Sequence, residues 1–113
     1  MAMRLLLDEC TPVGFRRILA GFLPPGSCVD HVAALGWQGV TNGRLLGRMA
    51  EHRYLGLVTT DRNLAAQQAV TETSIFVVVL VARTNRLTEL ALLADRAARS
   101  CLTAVPGQVI TIR

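Results

Sequence analysis

Apolar residues fall into short runs, and most of these runs read as buried strands. Met3 to Leu7 predicts the first strand, Cys28 to Val32 a short second and Leu55 to Thr59 the third. Ser74 to Val81 is the most β-branched stretch and predicts the fourth, and Gln108 to Ile112, after the Pro106-Gly107 turn, predicts the last. The intervening segments carry helical spacing. Thr11 as N-cap and Pro12 at the first helical position open a helix expected to bury Phe15, Ile18, Leu19 and Phe22, which Pro24-Pro25-Gly26 ends. Ala33 to Val40 is a connector. Thr41-Asn42-Gly43 precedes a helix with Leu45, Leu46, Met49 and Ala50 along one stripe, capped by Asn42. A short helix over 63–70 carries Gln67 and Gln68, read as solvent-facing, and a longer one from Leu87 to Cys101 buries Leu90, Ala94, Ala97 and Cys101.

Strands alternating with helices imply an α/β fold, a three-layer α/β/α sandwich around a mainly parallel sheet with right-handed crossovers. The 113 residues suit one domain spanning 1–113, and 51% hydrophobic composition is ample for one core. The longest apolar run, Ile75 to Ala82, is far short of the roughly 20 residues of a transmembrane helix, so no membrane is expected. The first residues lack the pattern of a signal peptide, and the expected compartment is the cytoplasm.

Two strands end on acids. Leu5-Leu6-Leu7 runs into Asp8-Glu9, and Leu57-Val58-Thr59-Thr60 into Asp61-Arg62-Asn63. In a parallel sheet both ends lie on the carboxyl edge, where ligands bind in open α/β folds. The fourth strand delivers Arg83, Thr84, Asn85 and Arg86 to the same rim. Asp8 and Asp61 are therefore candidate ligands for Mg²⁺ or Mn²⁺, which accept one or two carboxylates plus substrate phosphate. Such a metal suits phosphodiester hydrolysis, with neighbouring arginines holding phosphate. Structural roles compete with this reading: Asp8 can cap the helix after Thr11, Asp61 can cap the one after Asn63, and Trp37 is read as a rim or core residue.

All twelve basic residues are arginines against eight acids, a net charge of +4 built from groups suited to phosphate. Cys10, Cys28 and Cys101 form no CxxC pair and are expected to be reduced and largely buried. His31 and His52 have no companion at zinc-ligand spacing.

In order, LLLDECTP, GWQGVTNGRLL, LVTTDRNLAAQQ and VVVLVARTNRL extend over nearly the whole chain. Together they resemble the small PIN-like proteins grouped under a domain of unknown function and related to toxin components of bacterial toxin–antitoxin systems. The resemblance implies a PIN-like sandwich and a Mg²⁺-dependent ribonuclease, with Asp8 matching the first-strand acid and Asp61 the later one. PIN nucleases usually gather three or four acids, one of them from a central helix. The corresponding helix here begins Asn42-Gly43-Arg44 and reaches an acid only at Glu51, with Glu9 a possible substitute.

Two functions follow. The first is a toxin ribonuclease in which Asp8, Glu9 and Asp61 are catalytic and Asp8 and Asp61 hold the metal. Arg62, Asn63, Arg83, Asn85 and Arg86 would bind substrate, and RNA, a cognate antitoxin and a second copy of the chain are the candidate partners. The second is a module without hydrolytic activity that binds nucleic acid or a partner protein. A receiver-like phosphorylation domain also matches acids after strands one and three and Thr84 after strand four, but the chain has no lysine for the position after the last strand.

Overall fold

The computed structural model describes residues 2–64 and 70–113. Five strands, β1 (Arg4–Leu7), β2 (Cys28–His31), β3 (Gly56–Thr59), β4 (Phe76–Leu80) and β5 (Val109–Ile112), form one sheet in the order β2-β1-β3-β4-β5. Every pairing is parallel. The helices are α1 (Phe15–Ala20), α2 (Asn42–Glu51), α3 (Leu87–Ala91) and α4 (Ala94–Thr103), with 3₁₀ turns at Val32–Leu35 and Val70–Glu72.

Alternation along β1 assigns the two faces of the sheet. Leu5 and Leu7 join Phe15, Leu19, Leu90, Ala94 and Ala97 under α1, α3 and α4, whereas Leu6 joins Leu45, Leu46, Met49 and Tyr54 under α2. The expected three-layer α/β/α sandwich is therefore present. Because both faces are covered, β3 and β4 are buried throughout and read as continuous apolar runs. No helix among the described residues is long and apolar enough to cross a membrane.

Several local expectations are corrected. Helix α1 begins at Phe15 with Gly14 at its N-cap position, so Thr11 does not cap it. The helix stops at Ala20, which breaks the spacing that would have buried Phe22. Phe22 is 50% exposed, and Leu23 enters the core instead. Helix α2 includes Asn42, so the cap position falls on Thr41, whose side chain makes no capping bond. Its buried stripe is Leu45, Leu46 and Met49, with Ala50 exposed.

The long final helix is two helices. N–H bonds from Leu92 to Glu89 O and from Leu93 to Leu90 O tighten the chain between α3 and α4. The tightening leaves Leu92 77% exposed while Leu90, Leu93 and Ala94 all face the core. Cys101 is buried as expected, but Cys10 and Cys28 are exposed, and all three are free thiols. The helix expected over 63–70, with Gln67 and Gln68, lies largely outside the described residues.

Candidate functional site

The sheet order reverses direction at β1, whose successive neighbours β2 and β3 lie on opposite sides. The crevice beyond the carboxyl ends of β1 and β3 is thus the topological switch point, the usual ligand position in an open α/β sheet. A cleft of about 250 Å³ lies there, lined by the polar Asp8, Glu9, Cys10 and Asp61 and by the apolar Val32, Trp37, Val40 and Leu45.

Asp8 is the most enclosed of these acids, only 6% exposed. Its Oδ1 accepts the Thr11 hydroxyl at 2.9 Å and its Oδ2 accepts the Thr59 hydroxyl at 2.5 Å. Burial nonetheless raises its pKa above the usual carboxylate value. The two hydroxyl bonds oppose that rise, the nearby Asp61 charge adds to it, and His31 opposes it. Asp8 also holds the turn after β1, because its carbonyl accepts the Thr11 N–H at 3.2 Å.

Asp61 is half-buried. Its Oδ1 accepts the Asn63 N–H at 2.9 Å, an Asx turn just after β3, while the helix it was expected to cap lies largely outside the described residues. Among the described residues no donor reaches its Oδ2. The Asp61 N–H bonds to Thr59 Oγ1 at 3.0 Å, and Thr60 Oγ1 donates to Cys10 O at 3.0 Å, fastening the end of β3 to the turn after β1. From β2, His31 accepts the Ala33 N–H on Nδ1 at 3.0 Å, which leaves Nε2 as the donor to Thr11 O at 2.8 Å.

Glu9 lines the same cleft but is engaged elsewhere. Glu9 is exposed, and its Oε1 accepts the N–H of Gly39, a residue at φ 76° that suits glycine. That bond ties the turn after β1 to the connector carrying Trp37. The Cys10 thiol has its pKa raised by burial first and then by Asp8, Asp61 and Glu9, which disfavours a thiolate nucleophile.

Sequence reasoning thus brought Asp8, Glu9 and Asp61 to one cleft. Arg62, Asn63, Arg83, Asn85 and Arg86 are all exposed on segments that follow β3 and β4, and none lines the cleft itself. Among the described residues the ion pair is Arg99 with Asp95, so none of these rim arginines is paired with a carboxylate. Thr11, Thr59, Thr60 and His31 were missed as parts of the site, and Trp37, read as a rim or core residue, lines the cleft. The available signal was polarity at strand ends that the apolar pattern would otherwise have filled.

Among the described residues no group of three His, Cys, Asp or Glu side chains is spaced to hold a metal ion. Asp8 and Asp61 supply hard oxygen donors in one partly enclosed cleft. This set fits Mg²⁺ or Mn²⁺, which retain water, and does not fit a closed all-protein cage. No family model, no curated protein and no solved structure matches the chain.

Proposed function

We propose that the protein is a Mg²⁺- or Mn²⁺-dependent RNA endonuclease of PIN-like type, acting as the toxin of a toxin–antitoxin pair. The observation that carries this reading is the convergence of Asp8 and Asp61, from the ends of two adjacent parallel strands, on the cleft at the switch point. Asp8 and Asp61 would hold a divalent cation, which would supply Lewis-acid polarisation of a phosphoryl oxygen. Asp8, held in one orientation by the Thr11 and Thr59 hydroxyls, would present a preorganised ligand to the cation. Arg62, Arg83 and Arg86 contact the phosphates on the rim, with Asn63 and Asn85 orienting substrate.

The test is cleavage of single-stranded RNA by purified protein with Mg²⁺ or Mn²⁺, abolished by EDTA. Asp8→Asn and Asp61→Asn should each lower the rate by at least about 10²-fold. Activity that survives the double substitution would sink the assignment. For the toxin role, expression in a bacterial host should arrest growth, and co-expression of a neighbouring gene's product should relieve the arrest.

A second reading, a binding module without hydrolysis, draws on Glu9. Its carboxylate is engaged by Gly39, leaving two acids for the metal. RNA binding without cleavage under any divalent cation would favour that reading.

A further inference from the structure

We propose that Trp37 is a base-stacking platform and that Arg44 and Arg48 hold the adjoining phosphates, so that the cleft takes a single-stranded polynucleotide and not a duplex. The choice of RNA as that polynucleotide rests on the function proposed above. Trp37 is half-buried and lines the cleft that contains Asp8 and Asp61. Its ring is gripped edge-on by His52, with centroids 5.0 Å apart, and by Tyr54 at 6.2 Å. These neighbours fix its orientation while part of its surface opens on the cleft. An aromatic ring held this way offers the face opposite Arg48 for stacking at little entropic cost, and stacking is indifferent to base identity.

Helix α2 connects that ring to a cationic groove. Leu45 lines the cleft, while Arg44, Gly47, Arg48 and Glu51 outline a second hollow of about 240 Å³ on the same helix. The Arg48 guanidinium lies over the Trp37 ring, 5.4 Å from its centroid, so it covers one face of the ring and links the hollow to the cleft that Trp37 lines. A side chain at Gly47 would meet nothing within 4 Å, which leaves the hollow open between the two arginines. Glu51 is one acid against these two cations, so the groove keeps a positive balance, opposite in sign to the floor of the cleft. A strand with one base on Trp37 therefore finds phosphate partners one step outside, while its next phosphate faces the acids. A duplex keeps its bases stacked internally and reaches Trp37 only by extruding one.

Trp37 is the only tryptophan, so its emission reports this position alone. The intact protein would be titrated in EDTA with a short single-stranded oligoribonucleotide, binding being followed in parallel by anisotropy of the labelled RNA. Trp37 emission should be quenched in step with binding, and the matching duplex should bind at least tenfold more weakly. Trp37→Phe should keep most of the affinity, whereas Trp37→Ala should lose about tenfold or more, as stacking energies imply. Arg44→Gln and Arg48→Gln should each flatten the log–log salt dependence by about 0.7. If Trp37→Ala fails to fold, quenching of the parent and the affinity of Trp37→Phe decide the matter. RNA bound with unchanged Trp37 emission, duplex bound as tightly as single strand, or no binding at all would each overturn the proposal. Because EDTA excludes metal-dependent hydrolysis, quenching without later Mg²⁺-dependent cleavage upholds the platform and removes the nuclease. Cleavage without quenching does the reverse.

Discussion

Thr59 Oγ1 donates its proton to Asp8 Oδ2 at 2.5 Å and itself accepts the Asp61 N–H at 3.0 Å, so one wholly buried side chain positions both candidate metal ligands. Accepting from Asp61 commits the hydroxyl proton to Asp8. Thr59→Val preserves shape and deletes both bonds. It should destabilise the fold by about 1–3 kcal/mol, since a buried acceptor loses its donor. The Thr59 bond also lowers the Asp8 pKa, so its loss should move the acid limb of metal binding to higher pH. Thr59→Ser, which retains the hydroxyl, should leave that limb in place. Urea denaturation and a pH series of Mn²⁺ titrations measure the two effects, and an unmoved limb in Thr59→Val would detach Thr59 from Asp8.

Burial, the largest influence on Asp8, makes its charge costly to the fold. Its pKa is raised, so the folded protein holds this proton to higher pH than the unfolded chain does. Stability therefore falls as pH rises through the interval between the unfolded and the raised folded value, and it stays lowered at neutral pH. Asp8→Asn should accordingly be more stable than the parent at pH 7, while losing metal-dependent activity. A gain of 1 kcal/mol would raise Tm by roughly 4–8 °C in a domain near this size. In acid, where the parent Asp8 is also uncharged, the two proteins should melt together. Equal melting curves at neutral pH would contradict this account.

The same shift governs the cation. Mn²⁺ affinity should decline on acidification at a higher pH than an ordinary aspartate would give, because protonated Asp8 offers no charge. Both Asp8→Asn and Asp61→Asn should abolish the site with the fold intact by circular dichroism. Calorimetry giving unchanged affinity in both variants would remove the metal from this cleft.

Much of this arrangement was legible in the sequence because the central strands are buried on both faces. Leu5 to Leu7 and Phe76 to Leu80 can be little else, and the acids that follow an apolar run identify where it reaches the sheet edge. The turn after β1 was not legible. Thr11 before Pro12 has the local chemistry of an N-cap, yet the buried Asp8 is a stronger claimant on its hydroxyl. Asp30 and His31 looked like interruptions of β2. Each is a bonded polar group, Asp30 accepting the Tyr54 hydroxyl at 2.6 Å and His31 bridging Thr11 and Ala33. The break between α3 and α4 has no glycine or proline to announce it, because it arises from tertiary packing of Leu90 and Leu93. Trp37 could not be assigned to the cleft without knowing that its connector is tied back to Glu9.

The rim arginines give a salt signature independent of hydrolysis. If Arg62, Arg83 and Arg86 each neutralise one phosphate of single-stranded RNA, their share of the log–log salt slope should be about −2, from roughly 0.7 per contact. Replacing any one with Ala should flatten the slope by one contact's worth. Binding that ignores all three substitutions would move the phosphate path off this edge.

Gly56 opens β3 directly beside β4, and a Cβ there would run into the ring of Phe76, itself in the core. Gly56→Ala should therefore cost about 1–3 kcal/mol by overpacking. Gly47→Ala, which meets no neighbour within 4 Å, should be neutral or slightly stabilising in its helix. Equal melting temperatures for the two variants would show that the Phe76 ring yields freely.

Because the sheet reverses at β1, that strand pairs with the nearby β2 on one side and with the much later β3 on the other. Asp8 and Asp61 meet only when the second, long-range pairing has closed, a step whose loop entropy makes it slow compared with local contacts. A nascent or partly folded chain can contain every residue of the cleft and still have no paired acids. Any chemistry at this cleft is thus coupled to completion of folding, and the appearance of a Mn²⁺ site during refolding would time the zipping of β1 onto β3.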